Sequence, residues 1–224
     1  MAVWEYSGAH KKYPVEAGDT WQLGQHTFLC GDLEGNTPLW DKLSTMTPDL
    51  VYVDPPWNNG NARSFRTKAG VDGEQGRTVD FVSLLKIVLR PSVAFNALTF
   101  IEAGKREQNI VKGIIEDLGG VVGATWEILY YKRSPCILIA ADFRLNPQND
   151  YPNFTGLDDE DTPDLAIQHY KPSLVLDPCA GRGGTARAAE LAGVASLTHE
   201  LSPYRMAEAL QSVVAISGDT PVKL

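Results

Sequence analysis

The chain has 224 residues, 43% of them hydrophobic and 21% charged. That balance suits one domain with a real core and excludes a disordered chain. Asp and Glu number 28 against 20 Lys and Arg, a net charge of −8. A strongly basic nucleic-acid coat protein is thereby excluded. An enzyme with a local basic groove is not, because steering follows the local field rather than the sum.

Cys30, Cys136 and Cys179 lie far apart, without metal-ligand or redox spacing. They read as small buried hydrophobes in a reducing compartment. Residues 1–12 lack the apolar stretch of a signal peptide, and no apolar run approaches the ~20 residues of a membrane span. The expectation is a soluble, cytoplasmic protein. The scattered His10, His26, His169 and His199 give no metal cluster.

Along the chain, short β-rich runs alternate with helical patterns. Strands are predicted at 26–31, 49–53, 93–101, 121–131, 135–143, 173–176 and 195–200. Leu50-Val51-Tyr52-Val53 and Leu174-Val175-Leu176 are continuous apolar runs, the pattern of strands covered on both faces. Helices are predicted at about 37–46, 79–90, 103–118, 162–169, 184–192 and 203–216, with Asp80 or Thr78 capping the second and Pro203 opening the last. The fold class is α/β: a Rossmann-like, seven-stranded, mostly parallel sheet with helices on both faces. Residues 1–20 form an N-terminal extension and 21–224 one domain. Its parts are 21–143, a short variable loop 144–161, and 162–216. Residues 58–78, rich in Gly, Asn, Arg and Lys without periodicity, read as a second long loop. The cluster Asp158-Asp159-Glu160-Asp161 reads as a solvated loop leading into a helix.

Asp54-Pro55-Pro56-Trp57 follows directly on the 50–53 run. Neither proline donates to a ladder, so the strand ends there with its carbonyls held in fixed directions. An acid at the carboxyl end of a parallel strand lies where open α/β sheets bind ligands. Carboxylate, rigid carbonyl and Trp face together make a slot for an exocyclic amine on a planar ring. The plainer alternative is a strand-ending turn with Trp57 in the core.

Asp177-Pro178-Cys179-Ala180-Gly181-Arg182-Gly183-Gly184-Thr185 joins a short apolar strand to an Ala-rich helix. The glycines permit a tight turn and close approach of a ligand, and the helix N-terminus presents free N–H groups to an anion. Asp177 is placed to bind a cationic amine. Glu200, about 20 residues on, stands where an acid accepts hydrogen bonds from ribose hydroxyls.

Together these motifs resemble the catalytic and S-adenosylmethionine motifs of amino-methyltransferases acting on adenine or cytosine. With the catalytic motif first, the order resembles the circularly permuted class β, adenine-N6 type, of bacteria and phage. The segment 21–32, ending in Gly31-Asp32, and Glu200-Leu201-Ser202-Pro203-Tyr204 are similar to further family patterns, so the resemblance spans about 20–216. Arg182, where the family usually has Ser, and Gly184, where it often has Thr, depart from it; Arg182 reads as pointing to solvent.

The resemblance implies S-adenosylmethionine as cofactor and methyl transfer to adenine N6 in DNA. Asp54, Pro55, Pro56 and Trp57 are then catalytic. Asp32 contacts the cofactor's adenine; Asp177, Ala180, Gly181 and Gly183, with Pro178 and Thr185 of the same turn, hold its methionine end; Glu200 holds its ribose. Arg63, Arg66, Lys68 and Arg77, in the stretch after the catalytic motif, are candidate phosphate contacts. Cytosine N4 in DNA and adenosine N6 in RNA stay open as targets, and a silent nucleic-acid-binding subunit is a third reading; a nicotinamide dehydrogenase leaves the Asp-Pro-Pro-Trp motif without a role. Little chain remains for a domain that reads sequence. The expectation is a very short target site, or a homodimer or partner subunit that supplies recognition, as in restriction-modification systems. Few excess cations imply weak, salt-sensitive binding.

Overall fold

The computed structural model describes residues 8–33, 38–70, 80–145, 147 and 150–224. The predicted Arg77, and with it Asp72, Gly73, Glu74, Gly76 and Thr78, lies outside the described residues. The strands are β1 (Thr20–Leu23), β2 (His26–Cys30), β3 (Leu50–Val53), β4 (Leu98–Ala103), β5 (Val121–Tyr130), β6 (Ser134–Asp142), β7 (Leu174–Asp177), β8 (Ala195–Glu200) and β9 (Val222–Lys223). The helices are α1 (Ala9–Lys12), α2 (Pro38–Leu43), α3 (Asn59–Ala69), α4 (Phe81–Val88), α5 (Arg90–Ala94), α6 (Gln108–Asp117), α7 (Thr162–Tyr170), α8 (Gly184–Ala192) and α9 (Pro203–Ser217).

Among the described residues the strands form one sheet in the order β5-β6-β4-β3-β7-β8-β2-β1-β9. The five central strands, β4 to β2, run parallel, and antiparallel strands flank them on each side. All four residues of β3 are buried. Because side chains alternate along a strand, Val51 and Val53 join one core with Leu85, Val88 and Ile115 from α4 and α6. Leu50 and Tyr52 join the other with Ala166, Ile167, Ala188 and Ala189 from α7 and α8. A third cluster, on the α9 side, takes in Ala9, Tyr13, Val15, Trp21 and Phe28, so residues 9–15 pack into the same body as α9.

The α/β sheet with helices on both faces is as expected, and all seven predicted strands are present. Three expectations need correction. The sheet has nine strands among the described residues: β1 pairs with β2 from Thr20↔Leu29 to Leu23↔His26, and the two-residue β9 pairs with β1. The predicted strand at 93–101 begins only at Leu98, because Pro91 at the first turn opens α5 instead. The predicted loop 58–78 contains α3. There the Asn58 side chain accepts from Asn61 N at 2.9 Å and caps the helix. Only Ala62 of α3 is buried, so no apolar stripe marks it in the sequence. Asp80 caps α4 as expected, accepting from Ser83 N at 3.0 Å.

Candidate active site

A cleft of about 470 Å³ opens at the carboxyl ends of the parallel strands, where β2, β3, β4, β7 and β8 deliver their last residues. The two chemical motifs meet in it. Asp54, Pro55, Pro56 and Trp57 line it after β3; Asp177, Pro178, Ala180, Gly181, Gly183 and Thr185 line it after β7. Asp32 after β2 and Glu200 at the end of β8 complete that side.

On the β3 side, the Trp57 indole N–H donates to Asp54 Oδ1 at 3.2 Å, and the indole packs edge-on against Tyr130, centroids 5.0 Å apart. Trp57 is therefore a wall of the cleft, anchored from β5, rather than a core residue. Solvent reaches Asp54 through the cleft mouth, yet protein surrounds it closely. That poor solvation pushes its carboxyl up to about 6, against the Trp57 hydrogen bond and the Arg205 charge, which favour the ionised form.

On the β7 side, Glu200 holds the glycine turn. Its Oε2 accepts from Gly181 N at 2.8 Å and its Oε1 from Ser202 N at 2.8 Å. Each oxygen keeps a lone pair for a ligand hydroxyl. Asp177 is buried; it accepts from Cys179 N at 3.0 Å and is bonded by Thr185. Burial lifts its carboxyl to about 7 despite those bonds. Gly181 and Gly183 have φ of +55° and +82°, the left-handed region that glycine enters without strain. A Cβ on Gly183 would meet Ala209 Cβ at 2.7 Å, so this glycine also lets α9 approach. His199 Nδ1 lies 3.1 Å from the Pro178 carbonyl and so carries the proton. Burial lowers its pKa to about 4, leaving Nε2 a neutral acceptor with no partner among the described residues.

The predicted basic residues separate. Arg66 lines the cleft but spans to Asp32, Nη2 to Oδ2 at 2.9 Å. Lys68 also lines it. Arg63 is exposed and takes no part in the cleft wall. Arg182 is half exposed and pairs with Glu208 at 3.1 Å.

Several cleft residues were not predicted. Arg205, in the first turn of α9, lies over the Phe65 ring at 4.4 Å and its charge favours ionisation of both Asp54 and Glu200. Its signal was position alone, just after the Glu200-to-Tyr204 pattern. Tyr52, Glu102, Tyr130, Tyr131 and Asp159 form the rest of the β3-side wall. The acidic cluster also needs correction: Asp158 is 6% exposed and accepts from Lys132 N, while Asp159 accepts from Tyr131 N at 3.1 Å. Asp158 and Asp159 bond the backbone of the β5–β6 turn, while Glu160 and Asp161 are exposed as expected.

The chain matches no protein-family model, and no curated protein matches it. Solved structures do resemble it. M1.HpyAVI, in complex with SAM, superposes with a TM-score of 0.58 at 14% identity, over 84% of this chain and 98% of that one. TTHA0409, a putative DNA modification methylase from Thermus thermophilus complexed with S-adenosyl-L-methionine, gives 0.58 at 15% identity, over 84% and 94%. PvuII DNA methyltransferase (cytosine-N4-specific) gives 0.58 at 16% identity, over 83% and 86%. The chain shares their fold. Among the described residues no helix is long and apolar enough to cross a membrane.

Proposed function

We propose that this protein transfers a methyl group from S-adenosylmethionine to the exocyclic N6 amine of adenine in DNA. The observation that carries this reading is the meeting of Asp54-Pro55-Pro56-Trp57 and the Gly181–Gly183 turn in one cleft.

The donor set fits the cofactor. The buried Asp177 suits a cationic amine, Glu200 suits ribose hydroxyls, and Asp32 with the His199 Nε2 acceptor suits an adenine amine. The cleft volume is within the usual range for a ligand of that size. Bound there, S-adenosylmethionine supplies an electrophilic methyl group on a sulfonium. The chain does the rest. Asp54 and the Pro55 carbonyl accept the two amine hydrogens and draw the nitrogen toward a pyramidal geometry. Its lone pair, otherwise delocalised into the ring, is freed to form the new bond to carbon. The proton the nitrogen then sheds passes to the Asp54 carboxylate, and Trp57 stacks on the flipped base.

The order of motifs favours the permuted class: β3 precedes β7 in the chain although the two lie side by side in the sheet. Limited target recognition is favoured by the inward contacts of Arg144, Phe154 and Asp158 in the stretch before α7. Phe154 is fully buried, Asp158 bonds backbone, and Arg144 is spent on Asp142 at 2.6 Å. These three residues are thereby taken from base reading, which supports a short site or an added subunit. Cytosine N4 is the second reading, since the same slot accepts an amine on a smaller ring and a cytosine-N4-specific enzyme shares the fold.

The test is Asp54→Ala. It is expected to abolish transfer of tritiated methyl to nucleic acid while calorimetry still detects S-adenosylmethionine binding; full activity in the variant refutes the assignment. Mass spectrometry of nucleosides from DNA and RNA incubated with the wild type separates N6-methyladenine from N4-methylcytosine and DNA from RNA.

A further inference from the structure

The cleft holds a carboxyl that methyl transfer as described leaves unused. Val53 of β3 pairs in parallel with Ile101 of β4, so the next residues, Asp54 and Glu102, stand side by side, on the same sheet face as Tyr52. Glu102 is 2% exposed. Its Oε1 accepts from the Tyr52 hydroxyl at 2.5 Å and lies 3.3 Å from the Thr162 hydroxyl. Thr162 in turn donates to the Asp159 carbonyl at 2.9 Å, which ties the group to the loop before α7. Glu102 Oε2 has no hydrogen-bond partner among the described residues. Glu102 lines the cleft together with Asp54, Trp57 and Tyr130.

A half-satisfied carboxyl at this depth cannot be carried as a bare charge. Burial, with the Asp54 charge beside it, raises Glu102 well above the usual carboxylate range. Tyr52 is likewise raised and stays neutral. As a carboxylic acid, Glu102 receives the Tyr52 hydroxyl hydrogen at Oε1 and carries on Oε2 an O–H with no acceptor among the described residues. Asp54 and the Pro55 carbonyl are pure acceptors and read only the hydrogens of an amine. In adenine and cytosine the carbon bearing that amine is flanked by a ring nitrogen with a lone pair; guanine placed in adenine's orientation presents an N–H at that ring position and a carbonyl oxygen where the amine would be.

We infer that Glu102 donates a hydrogen bond to the ring nitrogen beside the target amine, and so selects adenine or cytosine over guanine. The inference rests on the amine-methylation reading above. The site then reads two adjacent groups of the flipped base: acceptors for the amine, a donor for the ring nitrogen. A base presenting N–H there would leave two donors facing each other in a buried site, which is strongly rejected.

The test compares wild type, Glu102→Gln and Glu102→Ala, on DNA containing adenine or 1-deazaadenine, in which C–H replaces the ring nitrogen. Wild type is expected to lose about tenfold or more in kcat/KM on the 1-deaza substrate, the value of one buried hydrogen bond. This arm needs no variant and so does not depend on one folding. Glu102→Gln retains an N–H donor and is expected to keep most activity and the same discrimination. It should also lose any alkaline decline due to Glu102 ionisation; the other ionisable groups facing this site, Tyr52 on β3 and Asp54 just after it, Tyr130 on β5, Cys136 on β6 and Asp159 before α7, are unaltered in it. Glu102→Ala should lose activity on adenine and discriminate no longer, with S-adenosylmethionine affinity unchanged. Equal wild-type rates on both substrates, or Glu102→Gln falling as far as Glu102→Ala, overturn the role of Glu102 while leaving amine methylation standing. A wild type that binds S-adenosylmethionine yet methylates no base overturns the parent reading and the inference with it.

Discussion

The Arg205 guanidinium lies 4.4 Å above the Phe65 ring centroid, joining the first turn of α9 to the polar helix that follows the catalytic motif. The contact holds a cation whose field acts on Asp54 and Glu200 alike. Removing that charge makes Asp54 harder to ionise. Wild-type methyl transfer is expected to fall as pH drops through about 6, where Asp54 takes up its proton. In Arg205→Ala this acidic limb moves to higher pH, so activity near neutral pH falls further than activity in mild alkali. Arg205→Lys keeps the limb near its place, since the charge remains, though the planar stacking on Phe65 is lost. A pH–rate profile of the three proteins decides it; an unmoved limb in Arg205→Ala refutes the coupling.

Asp177 gives a second pH dependence, this time in binding. Its carboxyl sits at about 7, against an ordinary 3.8. A cationic ligand group needs the ionised form, so binding below about pH 7 releases a proton. Affinity for S-adenosylmethionine is expected to rise with pH by up to about tenfold per unit below that value and to level off above it. Calorimetry in buffers of different ionisation enthalpy detects the proton directly. Stability of the free protein runs the other way. A carboxyl raised on folding contributes fully below its unfolded value, and that contribution is lost as pH rises from about 4 to about 7. Asp177→Asn should remove both dependences and weaken cofactor binding in mild alkali.

The two left-handed glycines of the turn separate into different phenotypes. A methyl on Gly183 meets Ala209 Cβ at 2.7 Å and Cα at 2.8 Å, so Gly183→Ala forces α9 away from the turn. Overpacking of this kind costs about 1–3 kcal/mol, a Tm fall of roughly 2–10 °C for a chain of this size. At Gly181 the nearest group, Arg205 Nη1, is 3.9 Å away, so the space is open toward the cleft. Gly181→Val is expected to block cofactor binding, with a Tm loss that comes from the left-handed backbone at φ +55° rather than from displacement of α9. Unchanged affinity in Gly181→Val, or an unchanged melting curve in Gly183→Ala, contradicts this division.

How much of this was legible in sequence follows from burial. Leu50–Val53 and Leu174–Leu176 could be read as central strands because both their faces are covered. The acids that end them could then be placed in a cleft by topology alone. The helix α3 could not be found by periodicity, since Ala62 is its one buried residue; only Asn58 and Gly70, a cap at each end, marked it. The short β9 is the edge strand on its side and β1 is its neighbour, both too brief to show a clear period. Glu102 did carry a signal, the one charged residue in the β-rich run from Leu98 to Ala103. Reading it required knowing that β4 lies beside β3, which is tertiary information. Within the acidic cluster Asp158 and Asp159 misled, because charge density in a loop does not reveal whether backbone N–H groups from another turn await it.

Arg63 and Arg66 stand three residues apart on α3 and yet make different contacts. Arg66 reaches Asp32 at 2.9 Å in a partly buried pair, which ties α3 to the end of β2. Asn59 Oδ1 fastens the other end of the helix by accepting from Phe81 N at 2.6 Å. Arg66→Ala is expected to raise hydrogen exchange across 59–69 and to weaken cofactor binding, because Asp32 loses the cation that orients it. A partly buried ion pair is worth on the order of 1 kcal/mol, so exchange should rise severalfold. The exchanged pair Arg66→Asp with Asp32→Arg should restore the slower rate. Arg63, exposed on the same helix, has no comparable tie to β2 among the described residues. Arg63→Ala should leave exchange unchanged and instead lower DNA affinity uniformly, reducing the slope of log affinity against log salt by about 1. If the two variants behave alike, α3 is either wholly a DNA-contacting helix or wholly a structural one, and the division of labour drawn from the Arg66–Asp32 pair fails.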